Sequence, residues 1–401
     1  MRIAHVVASI DPAHGGPQSG VVRLAAAQAG LGHHVRIVSH GDDALLRSAL
    51  HAAAQVPHVD ALEWTLLPAP GGVERIFGSR MRSRLPSLVA EADFVHLHGV
   101  WETLLRIAAS CARQASTPYC LSPHGMLDRW SLAQKPWKKR LALQLGYRFM
   151  LEHAAFLQAL NADEAELMGP LGLHPPVVVI PNGICPAELA ASPEPGSFRR
   201  TVPGLGDRPF VLFLSRLHRK KGLDILAESF RMVANACPQL DLVVIGPEDG
   251  AGDAFRAQIR QLGLGARVHM AGPRFGAAKL AAYAEAVCFC LPSRQEGFSI
   301  AITEAMACGV PVVISEACHF PEVAAAGAGL VLPLDPARFA AALIDIAGAP
   351  EKAAAMGRNG RELIHAHYTW PQIAVATLAA YRAHARQTDA GLARPAAAAR
   401  L

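Results

Sequence analysis

The 401-residue chain has no run of about 18 uninterrupted apolar residues, the length a helix needs to cross a bilayer. A spanning helix is therefore excluded, and any membrane contact has to be peripheral. The opening "MRIAHVVASIDPAHGG" has only a few apolar residues before Asp11 and no small-residue cleavage site, so the expected location is the cytoplasm. No C-x-x-C pair occurs among the eight cysteines; Cys288 and Cys290, in "AVCFCLP", alternate along a strand and are expected as buried free thiols. No D-x-D triplet is present to hold a divalent cation. Charged residues make up 18% and the formal net charge is +5, a modest excess without a recognition module, so nucleic acid is not an expected partner. "GGPQSGVV" lacks the Lys-Ser/Thr ending of a P-loop and does not fit G-x-G-x-x-G, which argues against a nicotinamide-dependent oxidoreductase.

What is present is an alternation. "RIAHVVAS", "HVRIVSH", "DFVHLHG", "TPYCLSPHG", "FLQALN" and "PVVVIPNG" read as strands in the first half, with alanine- and leucine-rich helical stretches between them. In the second half "FVLFLSRL", "LDLVVIGP", "ARVHMAGP", "AVCFCLPS", "VPVVISE" and "GLVLP" repeat the rhythm. Strands alternating with helices make parallel βαβ units covered on both faces. The class expected is α/β, with two doubly wound Rossmann-like domains facing a cleft, at 1–190 and 205–370. The proline- and glycine-rich stretch at 186–209 is the linker candidate. A C-terminal helix is expected at 371–388, packing back on the first domain, followed by a disordered tail at 389–401.

The chemistry concentrates in "SRQEGFSIAITEAMACGVPVV", residues 293–313. A buried strand leads to the turn "RQEG" and then to a helix with Ser299 at its N-cap and Gly309 at its end. Glu296 falls on the turn and Glu304 on the helix, so both carboxylates can face one ligand, while the helix start favours an anion. In "FLSRLHRKKGLDIL" a second strand end, turn and helix carry Arg216 and Lys221, cations suited to a diphosphate, with Lys220 expected at the surface.

"SRLHRKKGLD", "IPNGI" and "LPSRQEGFSIAITEAMACGVPVV" together resemble the retaining nucleotide-sugar glycosyltransferases of family 4, which have the GT-B fold. The resemblance extends to "HGGPQSG" in the first half, and "SPHGMLDRWSLAQKPWKKRLA" is similar to a bacterial surface-polysaccharide subgroup, from which Arg129 departs where a proline is usual. It implies that Glu304 accepts hydrogen bonds from the nucleotide ribose, and that Glu296 lies beside the transferred sugar. Gly297, Phe298 and Ser299 would bring backbone to its hydroxyls and the phosphates. Arg216 and Lys221 would stabilise the leaving diphosphate, where negative charge grows in the transition state. Gly15 and Gly16 would let the first turn approach phosphate or acceptor, and His124 would lie near the anomeric carbon.

The reaction implied is transfer of a hexose from a nucleoside diphosphate sugar to a polysaccharide or lipid-linked oligosaccharide, with retention and no metal or other cofactor. His96 and His98, in "FVHLHGVW", stand open between strand packing and the acceptor side, as does Trp101 between packing and stacking on a sugar. Asn182 is read as a turn former near the domain junction. The segment Arg129–Arg148 has six basic residues, no acidic one and two tryptophans, a pattern that suits either an exposed helix or the anionic inner face of the cytoplasmic membrane. Two rivals remain: an epimerase of the same fold, and a non-catalytic nucleotide- or membrane-binding component of a polysaccharide assembly complex.

Overall fold

The computed structural model describes residues 1–12, 16–190 and 193–392. The chain divides into two units, Met1–Gly183 with Trp370–Leu401, and Ile184–Thr369. The first is built on β1 (Arg2–Ser9), β2 (His34–His40), β3 (Glu63–Leu67), β4 (Phe94–His98), β5 (Tyr119–Ser122), β6 (Phe156–Ala159) and β7 (Val177–Val179), in the order β3-β2-β1-β4-β5-β6-β7. The second carries β8 (Phe210–Leu214), β9 (Asp241–Ile245), β10 (Val268–Gly272), β11 (Cys288–Leu291), β12 (Val312–Ser315) and β13 (Gly329–Leu332), in the order β10-β9-β8-β11-β12-β13. Neighbouring strands pair in parallel throughout.

Each sheet grows outward on one side of its first strand and then restarts on the other. The order reverses between β1 and β4 and again between β8 and β11, and open α/β sheets take their ligands beyond the carboxyl ends of the strands at such a switch point. Because crossover helices cover both faces, the strands are buried along their lengths and read as apolar runs rather than alternations. β4, β9, β11 and β12 have no exposed residue, and Cys288 and Cys290 are buried free thiols as expected. β3 was not marked in the sequence; it is an edge strand with a half-exposed pattern that dilutes the apolar signal.

One buried charge interrupts the second core. Asp241 is fully buried at the start of β9, where its carboxylate accepts from Arg208 Nε at 2.8 Å, Arg267 Nε at 2.7 Å and His269 Nε2 at 2.8 Å. Such partners are what make a buried carboxylate tolerable.

The stretch expected as a linker is part of the second unit instead. It forms short 3-10 turns at Pro186–Leu189 and Arg199–Thr201, and Phe198, Val202 and Leu205 are buried in that unit's core. The Glu285 carboxylate accepts from the Phe198 and Arg199 backbone N–H groups at 2.9 and 3.1 Å. The apolar residues at this spacing bury a face, which outweighs the proline and glycine content. The division consequently falls between Gly183 and Ile184.

The C-terminal helix spans Trp370–Leu392 and belongs to the first unit. It continues past the expected start of the tail at 389; residues 393–401 lie outside the described residues. Tyr381 is fully buried, with its ring stacked on Phe94 at 4.2 Å between centroids. Tyr381→Ala should lower the stability of the first unit by about 3–5 kcal/mol. Hydrogen exchange in mild urea checks this: protection should fall in β1 and β4 while β8 to β13 keep theirs.

Candidate active site

In the second unit the site starts from a glycine. After β8 the chain turns through Arg219–Lys221 to Gly222, whose φ of +68° leads into the helix Leu223–Ala236. A Cβ on Gly222 would lie 1.8 Å from the Pro292 carbonyl oxygen, so only glycine lets this turn press against the end of β11. The two turns are then laced together. Arg294 N donates to the Lys220 carbonyl at 2.6 Å, the Arg294 guanidinium grips both Asp224 oxygens at 2.7 and 2.6 Å, and Lys220 Nζ donates to Gln295 at 2.8 Å.

This lacing delivers Lys221 to Glu296. Lys221 Nζ donates to both carboxylate oxygens, at 2.7 and 2.9 Å, and Ser293 Oγ donates to Glu296 Oε1 at 2.6 Å. The side chains are 13% and 7% exposed, so each charge depends on the other. Arg216 behaves differently from Lys221. Its side chain is 63% exposed and pairs with Asp249 at 2.5 Å, and an exposed pair of this kind contributes little to stability. Arg216 thus keeps its reach at the end of β8 but does not join the Lys221–Glu296 pair.

Glu304 lies on the helix Ile300–Ala307, which ends in a Schellman motif: Gly309 has φ +78°, Gly309 N donates to Met306 O at 2.8 Å and Val310 N to Ala305 O at 2.9 Å. Ser299 holds the N-cap position without a side-chain capping bond. The Glu304 carboxylate accepts from Lys279 Nζ at 2.6 Å and Tyr283 Oη at 3.2 Å, both on the helix Gly276–Glu285. Burial and the Glu304 charge push the Tyr283 hydroxyl well above its ordinary range, so it stays a donor. The two carboxylates therefore have different cations, and Lys279 is a site residue that sequence reading missed; its signal was the Lys279, Tyr283 spacing of four, one helix face. Between the carboxylates come Gly297, Phe298 and Ser299, with Phe298 set against Phe320 and Tyr368 at 5.9 and 6.4 Å.

In the first unit Gly15 lies outside the described residues, and Gly16 begins the helix Gly16–Gly30. His124 follows β5 with φ +53°, a left-handed conformation uncommon for a residue with a side chain. Glu164 holds the turn: its oxygens accept from Gly125 N and Leu160 N, both at 2.6 Å. Burial pushes the Glu164 carboxyl up, and those N–H donors pull it back. His124 Nε2 lies 3.3 Å from His98 Nδ1, His98 Nε2 lies 2.9 Å from His5 Nδ1, and His5 Nε2 lies 2.7 Å from Gln28 Oε1. Burial pushes His5 and His124 down to about 4, and His96 and His98 well below their ordinary value, so all four are neutral at pH 7.

His5, His96 and His98 are close enough to suggest a metal triad. Their ring nitrogens, however, are all engaged in hydrogen bonds, and the His98 ring stacks on those of His5 and His96 at 5.1 and 4.0 Å, so the lone pairs a metal would need already belong to that network. Trp101 stands 6.0 Å from Tyr147, with Lys139 over its ring at 5.4 Å. Asn182 lines a small pocket with His98, His124, Gly20 and Trp370.

Residues 15–183 match the profile of the glycosyl transferase 4-like domain, and residues 198–363 match that of glycosyl transferases group 1. Both halves of the chain match glycosyltransferase domains. A D-inositol 3-phosphate glycosyltransferase of Segniliparus rotundus is 35% identical over 184 residues, which cover 44% of this chain and 40% of that one. A phosphatidyl-myo-inositol mannosyltransferase of Mycolicibacterium smegmatis is 26% identical over 399 residues, 95% of this chain and 93% of its own. Among solved structures, Anabaena Alr3699/HepE in complex with UDP superposes with a TM-score of 0.73 at 20% identity, covering 96% of this chain and all of that one. The expected GT-B class holds, and the matches support a nucleotide-sugar glycosyltransferase.

Lys221→Met strips Glu296 of its counter-charge and should cost about 3 kcal/mol of stability, with part recovered in Lys221→Met/Glu296→Gln. Urea denaturation of the four proteins of that cycle checks it. The histidines add a pH signature. Unfolded, they bind protons near pH 6.5; folded, His5 and His124 do so only near 4, so the unfolded state holds more protons in that window. Stability should fall as pH is lowered from 6.5 to 4, by on the order of 3 kcal/mol for His5 alone. A Tm that stays flat across the window would contradict neutral imidazoles.

Proposed function

We propose that the protein transfers a hexose from a nucleoside diphosphate sugar to a glycan or lipid-linked acceptor, with retention of configuration and without a metal. The observation that carries this reading is the Lys221–Glu296 pair at the switch point of the second sheet, flanked by Glu304. Lys221 has three N–H donors, so one remains for a phosphate oxygen beside the two carboxylate bonds. Arg216, exposed and paired with Asp249 among the described residues, swings to the same diphosphate as charge grows on it. Glu304, oriented by Lys279 and Tyr283, receives the ribose hydroxyls. Absent a D-x-D triplet, these cations take the part a divalent ion plays elsewhere. Departure and attack occur on one face of the sugar, the leaving phosphate taking the acceptor's hydroxyl proton.

The acceptor is lipid-linked, in assembly of a surface polysaccharide or glycolipid. Its relatives support a lipid acceptor, since one is a phosphatidyl-myo-inositol mannosyltransferase. So does an exposed segment of mixed apolar and basic side chains in the first unit, which turns at Leu145 and Gly146. Trp137, Leu141, Leu145 and Phe149 follow one another every four residues and are all exposed, interleaved with Lys138, Lys139, Arg140 and Arg148; the Arg129 and Trp130 side chains lie outside what is described. Apolar and basic side chains in this pattern suit the inner face of an anionic membrane. No described helix is long and apolar enough to cross one.

Calorimetry against UDP, GDP and ADP and their sugars, with EDTA present, tests the donor site. One nucleotide should bind and raise Tm, and Glu304→Ala should weaken it by about tenfold or more, the loss of hydrogen bonds to a charged group. Folded protein that binds none of them would favour a non-catalytic role. Flotation with anionic vesicles tests the surface: Trp137→Ala/Leu145→Ala should reduce binding while leaving nucleotide affinity intact.

A further inference from the structure

The tautomer of His124 is dictated by a backbone carbonyl just past β7, that of Ile180. Ile180 O can only accept, so the Gln158 group 2.9 Å from it is the amide nitrogen, and Gln158 Oε1 faces Ser122. Ser122 Oγ donates its one proton to that oxygen at 3.0 Å and must accept from His96 Nε2–H at 2.6 Å. His96 Nδ1 is then an acceptor, and Tyr381 donates to it at 2.6 Å. Its proton committed, Tyr381 accepts from the Gln28 amide nitrogen at 3.4 Å, which turns Gln28 Oε1 towards His5. From there the direction passes along the imidazoles. His5 Nε2–H donates to Gln28 at 2.7 Å, His98 Nε2–H to His5 Nδ1 at 2.9 Å, and His124 Nε2–H to His98 Nδ1 at 3.3 Å. Reversing any one bond would set two acceptors or two donors against each other in a buried site.

The end of the chain is open. His124 Nδ1 is buried and has no hydrogen-bond partner among the described residues. Trp370 Nε1, a donor lining the same pocket, has none either. A hydroxyl, donor and acceptor at once, has the chemistry that each of these atoms can take.

We infer that Gln28, His5, His98 and Tyr381 are positioning residues: they hold His124 as the Nε2–H tautomer, so that its Nδ1 lone pair receives a substrate hydroxyl. Its substrate half rests on the glycosyl-transfer reading above. His124 is on this account a fixed neutral acceptor, and burial of the imidazoles agrees with that.

The full-length protein labelled with 15N-histidine tests it, the His124 signal being assigned by its loss in His124→Gln. Long-range 1H–15N correlation should show wild-type His124 protonated on Nε2 alone. Tyr381→Phe, which removes the link that orients Gln28, should yield a mixture of tautomers at His124. If half the molecules then carry the wrong one, kcat should fall about twofold with donor KM unchanged. An Nδ1–H tautomer in the wild type would overturn the inference, as would a His124 tautomer unmoved in a folded Tyr381→Phe. Mixed tautomers with unaltered kcat would overturn the substrate contact alone. Failure to bind any nucleotide would instead defeat the glycosyl-transfer reading, and calorimetry sees that separately.

Discussion

A polar side chain buried at the carboxyl end of a parallel sheet has no water to turn to. The fold places the switch point there, helices cover both faces, and any charge or hydrogen-bonding group used in chemistry has to be satisfied by its neighbours. Each unit solves this in its own way. The second meets it with charge: Glu296 with Lys221 and Glu304 with Lys279, and it does the same at the opposite, amino end of the sheet, where Asp241 meets two arginines and a histidine. The first, at its histidines, meets it without net charge, by passing neutral hydrogen bonds from amide to hydroxyl to imidazole.

That contrast separates what could be read from the sequence from what could not. Glu296, Glu304 and Lys221 were legible because each falls at a strand end, on a turn or a helix beside it, and short-range rules fix those positions. The six strands of the second unit were legible for the same reason, as short apolar runs bounded by glycine, proline and serine. Arg216 could be placed but not paired, since its partner Asp249 follows a different strand. His5, Gln28 and Tyr381 carried no signal at all. Gln28 is one of several polar residues in an alanine-rich helix, and Tyr381 is 285 positions from the histidine it touches. Only the sheet order, which places β1 beside β4 and lays the last helix over them, makes these residues neighbours.

Glycines tell a similar story. Their abundance near 186–209 suggested a linker, yet the apolar residues among them enter a core, and the glycine that matters most for the site, Gly222, stands in a charged run where its role was hidden. Its contact with Pro292 links two turns 70 residues apart, and a pairwise close approach of that kind leaves no trace in composition.

The division at Gly183 and again at Trp370 gives the chain an order of assembly. During synthesis the first seven strands emerge well before the last helix, and the whole second unit must be made in between. Until then Phe94 lacks its stacking partner and His96 and Gln28 face no tyrosine hydroxyl. The first unit is thus begun first and finished last, and a chain interrupted anywhere in the second unit would leave the histidine array without the residue that carries its direction from His96 to Gln28.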